Sequence, residues 1–322
     1  MTNKPKLLIN QRMFDKFRYT TLGMNYLVGS LMGSGIFEVG NHEETVEVPK
    51  GHRAIIIYLN DIKIYLDFWE YIYPAHSVKV YEQNFDIIIK LQHRCMTPEY
   101  YLQQCKEKKI LVELSNNQKL EMFSKIVPWT FFPSQYLIDY ASKLGSTPDN
   151  LEPIDTEQIG FFCGRNWRTR RRWNGRLGKS GFKMFAHGGN NMENRPLEHD
   201  QFMHLMRSSQ YGLVLPGRSS RFTEAKNRRE IDYMLLKKPI LMPYTPNYHN
   251  PLIPNKHYVL IDRHTKYDRL EARFDFDKMV EDAYEWYIQN ASPYGVVKTF
   301  LEITQGIRPS DPDFNHDIYT IV

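Results

Sequence analysis

The 322-residue sequence has only three cysteines, Cys95, Cys105 and Cys163, and no CxxC pair. That excludes a paired-cysteine metal motif and reads as a protein of a reducing compartment. No stretch supplies about 18 uncharged apolar residues, the length a membrane helix needs. Charges at Lys4, Lys6, Arg12, Asp15, Lys16 and Arg18 interrupt any signal-peptide core. The expectation is a soluble, cytoplasmic chain with no transmembrane segment. No repeat recurs at 20–50 residues and no tract is of low complexity, which excludes solenoids and propellers. The glycine-rich run Gly29–Gly35 lacks the Gly-Lys-Ser/Thr of a phosphate-binding P-loop, and Gly178-Lys179-Ser180 lacks its upstream glycine. His187, His199 and His204 are close in sequence but have no compact ligand set around them, so no metal site is expected.

What is present describes a folded protein of about two domains. Hydrophobic residues make up 42%, charged residues 25% and aromatics 14%, a composition too apolar for disorder. The net charge of +5 conceals an asymmetry. Cys163 to Lys238 carries 17 Lys and Arg against 6 Asp and Glu, leaving 25 basic and 31 acidic residues elsewhere. One segment is strongly cationic in an otherwise acidic chain, so an anionic partner is expected there.

Residues 1–150 read as one domain and residues 151–322 as a second, with the Gly-, Pro- and acid-rich stretch Gly145–Glu157 as linker. In the first, an apolar helix runs into the turn Gly33-Ser34-Gly35 and a short strand. Two β runs, Ala54–Leu59 and Ile62–Phe68, flank Asn60-Asp61. They fit either a hairpin or a strand whose carboxyl end presents Asp61 to a cleft. Phe85–Leu91 and Ile110–Leu114 read as strands and Pro98–Lys106 as a helix. In the second, strands at Ile159–Cys163, Phe182–Ala186, Tyr211–Leu215, Pro239–Met242 and Tyr258–Ile261 alternate with helices. This alternation implies βαβ units and a parallel sheet, whose ligands sit beyond the strands' carboxyl ends. The tail Phe276–Thr304 reads as two helices broken near Ser292-Pro293.

Two stretches carry chemistry. Gly164–Lys183 holds eight basic residues and no acid. Arg165 and Arg168 fall where the chain leaves a parallel strand. Arg170, Arg171, Arg172 and Arg176 fall on the helix that follows, and Lys179 near its end. Arginine forks match phosphate oxygens, so a diphosphate is the preferred ligand, ahead of a solvated basic face or nucleic acid. In Ser208–Leu241 a strand ends at Pro216-Gly217, where the backbone can turn tightly. Ser219 or Ser220 would cap the next helix, whose N-terminus favours phosphate. Arg218, Arg221 and Arg228 surround that point. Glu224 and Asp232, eight residues apart, share one helix face and offer a carboxylate to ribose hydroxyls.

The order of these features resembles the donor-binding half of GT-B glycosyltransferases, with exostosin-like members nearest. Ser209, Tyr211, Leu213, Leu215, Pro216 and Gly217 match the start of the family segment. Arg228, Asp232 and Pro239-Ile240 match its end, and Glu224 with Asp232 is similar to the family's paired glutamates. Lys237-Lys238 depart from it, standing where a small residue and glycine are usual. Pro251–Ile261, with His257-Tyr258 before a strand, resembles a later family segment.

The resemblance implies an α/β, GT-B-like fold: two Rossmann-like domains facing across a cleft, with C-terminal helices crossing back to the N-terminal domain. It implies an enzyme moving a sugar from a nucleotide-sugar co-substrate, UDP- or GDP-linked, to a hydroxyl of a glycan or glycoconjugate. The mechanism would be metal-independent and need no further cofactor. Arg165, Arg168, Lys179, Gly217, Arg218, Arg221, Glu224, Arg228 and Asp232 would bind the donor. A base for an inverting reaction would come from the N-terminal domain, with Asp61 first and Glu38, His42 and His93 behind it. The rivals are a nucleic-acid-binding protein using residues 164–183 and a non-catalytic scaffold of the same fold.

Overall fold

The computed structural model of the protein describes residues 4–17, 23–45, 53–68, 78–90, 97–129, 132–152, 154–165, 168–187, 197–215, 229–243, 248–262 and 265–306. The chain forms two compact units. Unit 1 comprises Met1–Thr130, Asn247–Asn250 and Ser292–Ser310, and unit 2 is built on Phe131–Pro246 and Pro251–Ala291. The expected linker lies within unit 2.

Unit 1 runs β1 (Lys6–Ile9), α1 (Gln11–Phe17), α2 (Met24–Gly33), β2 (Glu38–Asn41), β3 (Ala54–Leu59), β4 (Ile62–Asp67), α3 (Val78–Glu82), β5 (Ile87–Lys90), α4 (Pro98–Lys108), α5 (Asn116–Ser124) and β6 (Ile126–Pro128). Its six strands form one sheet in the order β2-β1-β3-β4-β5-β6. Only β3 runs against its neighbours. The β3–β4 connection is the two-residue hairpin at Asn60-Asp61, with Leu59 facing Ile62. Asn60 takes φ 51° there, the left-handed conformation that asparagine tolerates. The apolar content of β3 and β4 reflects cover on both faces. Ala54, Ile56 and Tyr65 join Phe85, Ile88, Tyr101 and Met122 in one cluster, while Ile55, Ile57 and Ile64 are buried too.

Helix boundaries follow their caps. Thr97 accepts the Tyr100 N–H at 3.2 Å with Pro98 in the first turn of α4, and Ser115 and Gln118 close a reciprocal capping box on α5. The strand expected at Ile110–Leu114 is instead a turn. The chain leaves α4 through Lys109 at φ 52° and passes Leu111 at φ 51°. The Ile110 and Leu114 N–H groups bond locally, to Cys105 and Leu111.

At the carboxyl ends of the parallel pair β4–β5, Asp67 faces Lys90. Their side chains form an ion pair at 3.0 Å and are fully buried. Removing one partner strands the other charge away from water. Lys90→Met should therefore lower stability by about 3–5 kcal/mol, read as a drop in the urea midpoint. The double variant Asp67→Leu/Lys90→Met should recover most of the loss.

Unit 2 runs α6 (Gln135–Lys143), β7 (Phe161–Arg165), α7 (Arg168–Lys179), β8 (Lys183–His187), α8 (His199–Arg207), β9 (Gly212–Leu213), α9 (Arg229–Leu235), β10 (Ile240–Met242), β11 (Val259–Leu260) and α10 (Phe276–Asn290). The final described helix, α11 (Pro293–Thr304), belongs to unit 1 and packs on α2. Ser292 caps α11, accepting the Gly295 N–H at 3.1 Å with Pro293 in the first turn. The break between the two tail helices thus follows from one Ser-Pro pair. With 11 α-helices and parallel strands in both units among the described residues, the protein is of the α/β class.

Strands β7 and β8 pair in parallel, as do β9 with β10 and β10 with β11. A parallel bridge between Gln158 and Ser209 joins the two groups. The Gln210 and Tyr211 N–H groups donate across it to Gln158 and Ile159 at 2.9 and 2.8 Å. The order is therefore β8-β7-β9-β10-β11, every strand pointing the same way. Phe162, Leu213, Leu215, Leu241 and Val259 meet Leu177 of α7 and Met279 of α10 in the core. Gly212 is required by the approach of α9, since a Cβ there would lie 2.4 Å from the Tyr233 ring.

His257, two residues before β11, is 5% exposed. Its Nδ1 accepts the Ile253 N–H at 2.9 Å, which fixes a neutral ring with the proton on Nε2. Burial, aided by Lys256 and opposed by Asp282, pushes its pKa down to about 4 from the ordinary 6.5. Between those pH values the unfolded chain takes up a proton that the folded chain refuses, so stability falls as pH drops through this window. The loss should reach about 3 kcal/mol by pH 4. In His257→Asn, denaturation curves at pH 7 and pH 4.5 should differ by correspondingly less.

Candidate functional site

In the unit 2 sheet the chain places its first strand, β7, between its second, β8, and its third, β9. Connections leave β7 and β9 in opposite directions, and in open parallel sheets this is where a crevice opens beyond the carboxyl ends. The residues delivered to that edge are set by strand polarity. Arg165 is the last residue of β7, in register with His187 at the end of β8, and Arg168 begins α7. Beyond β9 the chain continues through the buried Val214 and Leu215 into residues 216–228. Gly217, Arg218, Arg221, Glu224 and Arg228 lie in that span, outside the described residues. Of the residues singled out by sequence, strand polarity thus brings the backbone of Arg165 and Arg168 to this edge.

Lys179 does not join them. It is the last residue of α7, and a 12-residue helix advances about 18 Å, carrying the chain back to the amino-end edge where β8 begins. Polarity alone separates Lys179 from Arg165 and Arg168 by the height of the sheet.

Asp232 sits in a more enclosed setting than expected. It is 2% exposed on α9, and its Oδ1 accepts the backbone N–H of Ser134 at 2.8 Å. Ser134 in turn caps α6, its hydroxyl accepting the Leu137 N–H at 3.2 Å. A ribose would have to compete with that buried bond. Helix α9 is described only from Arg229, which leaves the shared face with Glu224 outside the described residues. Glu230, which sequence reasoning passed over, is fully buried in the same first turn. Arg229 lies 5.1 Å from the ring centroids of both Phe162 and Phe202, anchoring α9 to β7 and α8.

The base candidates of unit 1 are equally constrained. Asp61 is exposed in the hairpin turn beside the start of β1, where Asn60 Oδ1 accepts the Lys6 N–H. That is the amino-end edge, opposite the carboxyl ends of β4, β5 and β6. The hairpin reading therefore replaces the picture of Asp61 presented into a cleft. His42 uses both ring nitrogens on backbone groups: Nε2 lies 3.1 Å from the Ile56 carbonyl, and Nδ1 accepts the Glu44 N–H at 3.1 Å. Glu38 is exposed at the start of β2, and His93 lies outside the described residues.

Among the described residues no group of three or more His, Cys, Asp and Glu is arranged to hold a metal ion. Asp-x-Asp runs, a pattern able to hold a divalent ion, occur at Asp275-Phe276-Asp277 and Asp311-Pro312-Asp313. In the first, Asp275 Oδ1 accepts the Lys278 N–H at 3.1 Å and caps α10. The second lies outside the described residues. No helix among the described residues is long and apolar enough to cross a membrane.

The α/β class and the polarity of the unit 2 sheet define the molecule at this level. No protein-family model matches the chain, and no curated protein matches it in sequence.

The two readings of Asp232 predict different outcomes. Asp232→Ala leaves the buried Ser134 N–H without its acceptor, a cost of about 1–3 kcal/mol, and the urea midpoint should fall accordingly. A variant of wild-type stability with weakened nucleotide binding would restore the ribose-binding reading.

Proposed function

We propose that the protein is a nucleotide-sugar-dependent glycosyltransferase of GT-B type, with unit 2 binding the donor diphosphate and unit 1 serving the acceptor. The observation that carries this reading is the strand order β8-β7-β9-β10-β11. It releases the chain after Arg165 and after Leu215 at the same edge of the sheet, and in sequence each exit is followed by arginines. A leaving nucleoside diphosphate gains negative charge as the glycosidic bond breaks. Arginine forks and helix N-termini fixed around it stabilise that charge in the transition state. In this reading Arg165, Arg168, Arg218, Arg221 and Arg228 meet the phosphates, Gly217 lets the backbone approach them, and Glu224 meets the ribose. The transferred sugar goes to a hydroxyl of a glycan or glycoconjugate. The assignment of α11 to unit 1 agrees with the chain path expected of this fold.

Calorimetry with UDP, GDP and their common sugar conjugates tests the donor reading. Arg165→Ala and Arg218→Ala should each weaken binding by about ten- to a hundredfold, the equivalent of one lost charge-assisted hydrogen bond, with the melting temperature unchanged. No binding of any of these nucleotides by the folded protein would overturn it. Tight binding of RNA or DNA, with affinity falling steeply in salt, would transfer the basic segment to the nucleic-acid reading.

A further inference from the structure

A cavity of about 630 Å³ opens on unit 2 at the amino-end edge of its sheet, among Ile159, Ser180, Gln210, Tyr211, Tyr267 and Glu271. These residues precede β7, β8 and β9 or follow β11, so the cavity lies at the opposite end of the strands from the arginine crevice. Its volume falls within the span of about 300–1,000 Å³ usual for small-molecule sites.

The polar groups in it are organised around one carboxylate. Glu271 Oε1 accepts hydrogen bonds from Gln210 Nε2 and, at 3.3 Å, from the Tyr211 hydroxyl. Gln210 Nε2 also lies 3.2 Å from that hydroxyl. This triangle fixes the carboxylate and leaves Oε2 without a bond from the described residues. Gln210 Oε1 and the Tyr267 hydroxyl are likewise uncommitted among them. Burial raises both tyrosines to about 12, with Glu271 adding to the effect on Tyr211, and Asp262 adding to and Arg176 opposing that on Tyr267, so their hydroxyls remain protonated. Tyr267 is braced by the Phe182 ring at a centroid distance of 5.1 Å. Beside these groups Ile159 is 37% exposed, an apolar wall next to fixed acceptors.

A ligand for such a surface must donate several hydroxyl hydrogen bonds, take one from a phenol, and lay C–H groups against isoleucine and tyrosine. Lys266 lines the same cavity and balances the Glu271 carboxylate, so the lining carries no net charge and favours an uncharged ligand over a phosphate or nucleotide. We propose that this cavity is a saccharide-binding subsite for a neutral sugar ring, separate from the crevice at the carboxyl ends. Glu271 and Gln210 would accept the ring hydroxyls, while Tyr267 and Ile159 would pack its apolar face. The inference stands on this cavity alone and does not require the nucleotide reading to hold.

Saturation-transfer NMR of the full chain with methyl glycosides of glucose, galactose, mannose, xylose and N-acetylglucosamine tests it. At least one glycoside should show saturation transfer. Its affinity should fall at least tenfold in Glu271→Gln and in Tyr267→Ala, each verified as folded by circular dichroism, and should be unchanged in Arg165→Ala. Retained glycoside binding in a protein that ignores nucleotides would leave this proposal intact while removing the donor reading. No transfer to any of the five glycosides, equal transfer in wild type and both cavity variants, or Glu271-dependent binding of ethanolamine in their place would overturn it.

Discussion

A parallel strand cannot turn straight back to its neighbour; the chain must cross over and re-enter at the same end. Every loop that follows such a strand consequently emerges on one edge of the sheet, and every loop that precedes one emerges on the other. Among the described residues of unit 2, five strands obey this constraint. The division of its surface into two chemically distinct edges follows directly. The carboxyl edge receives Arg165 and Leu215. The amino edge receives Gln210 and Tyr211, and the chain that leaves β11 returns to it with Tyr267 and Glu271. Helix α7 spans the distance between them, with Arg168 at one end and Lys179 at the other.

The same geometry governs unit 1, with one exception. The hairpin at Asn60-Asp61 inserts β3 against the common direction, so a turn appears on the amino edge beside β1. The carboxyl edge keeps Asp67 and Lys90, which neutralise one another inside the protein. A charged pair at such an edge is tolerated because each charge supplies the other's counter-ion where water cannot.

Much of the architecture was legible because it rests on local signals. The apolar runs of β3, β4 and β5 needed no partner to be recognised, and the Ser292-Pro293 cap marked the break between α10 and α11. The Ile110–Leu114 expectation failed because an apolar run also describes a turn packed under a core. The φ angle of Leu111 is set by its surroundings, and its composition gives no sign of it. At the site, sequence spacing identified the basic segment, but only strand polarity separates Lys179 from Arg165. Asp232 reads as an ordinary acidic residue on a helix face, since its partner is the N–H of Ser134, 98 residues earlier. Lys90 reads as the polar end of a strand, and its burial depends on Asp67 lying opposite in register. The Glu271 triangle joins residues 61 and 60 positions apart, beyond any local pattern.

The membership of α11 in unit 1 bears on how the chain is made. Val296 and Phe300 of α11 are fully buried, as are Leu27 and Leu31 of α2, and the Phe300 ring lies 6.1 Å from the rings of both Phe37 and Trp129. On a ribosome these last partners appear only after Phe131–Pro246 and Pro251–Ala291 of unit 2 have been synthesised, at roughly 5–20 residues per second. For that interval the α2 face of unit 1 remains wet and apolar. The helix that covers α2 is made long after α2 itself, so a chaperone that shields nascent apolar surface has its longest task at α2.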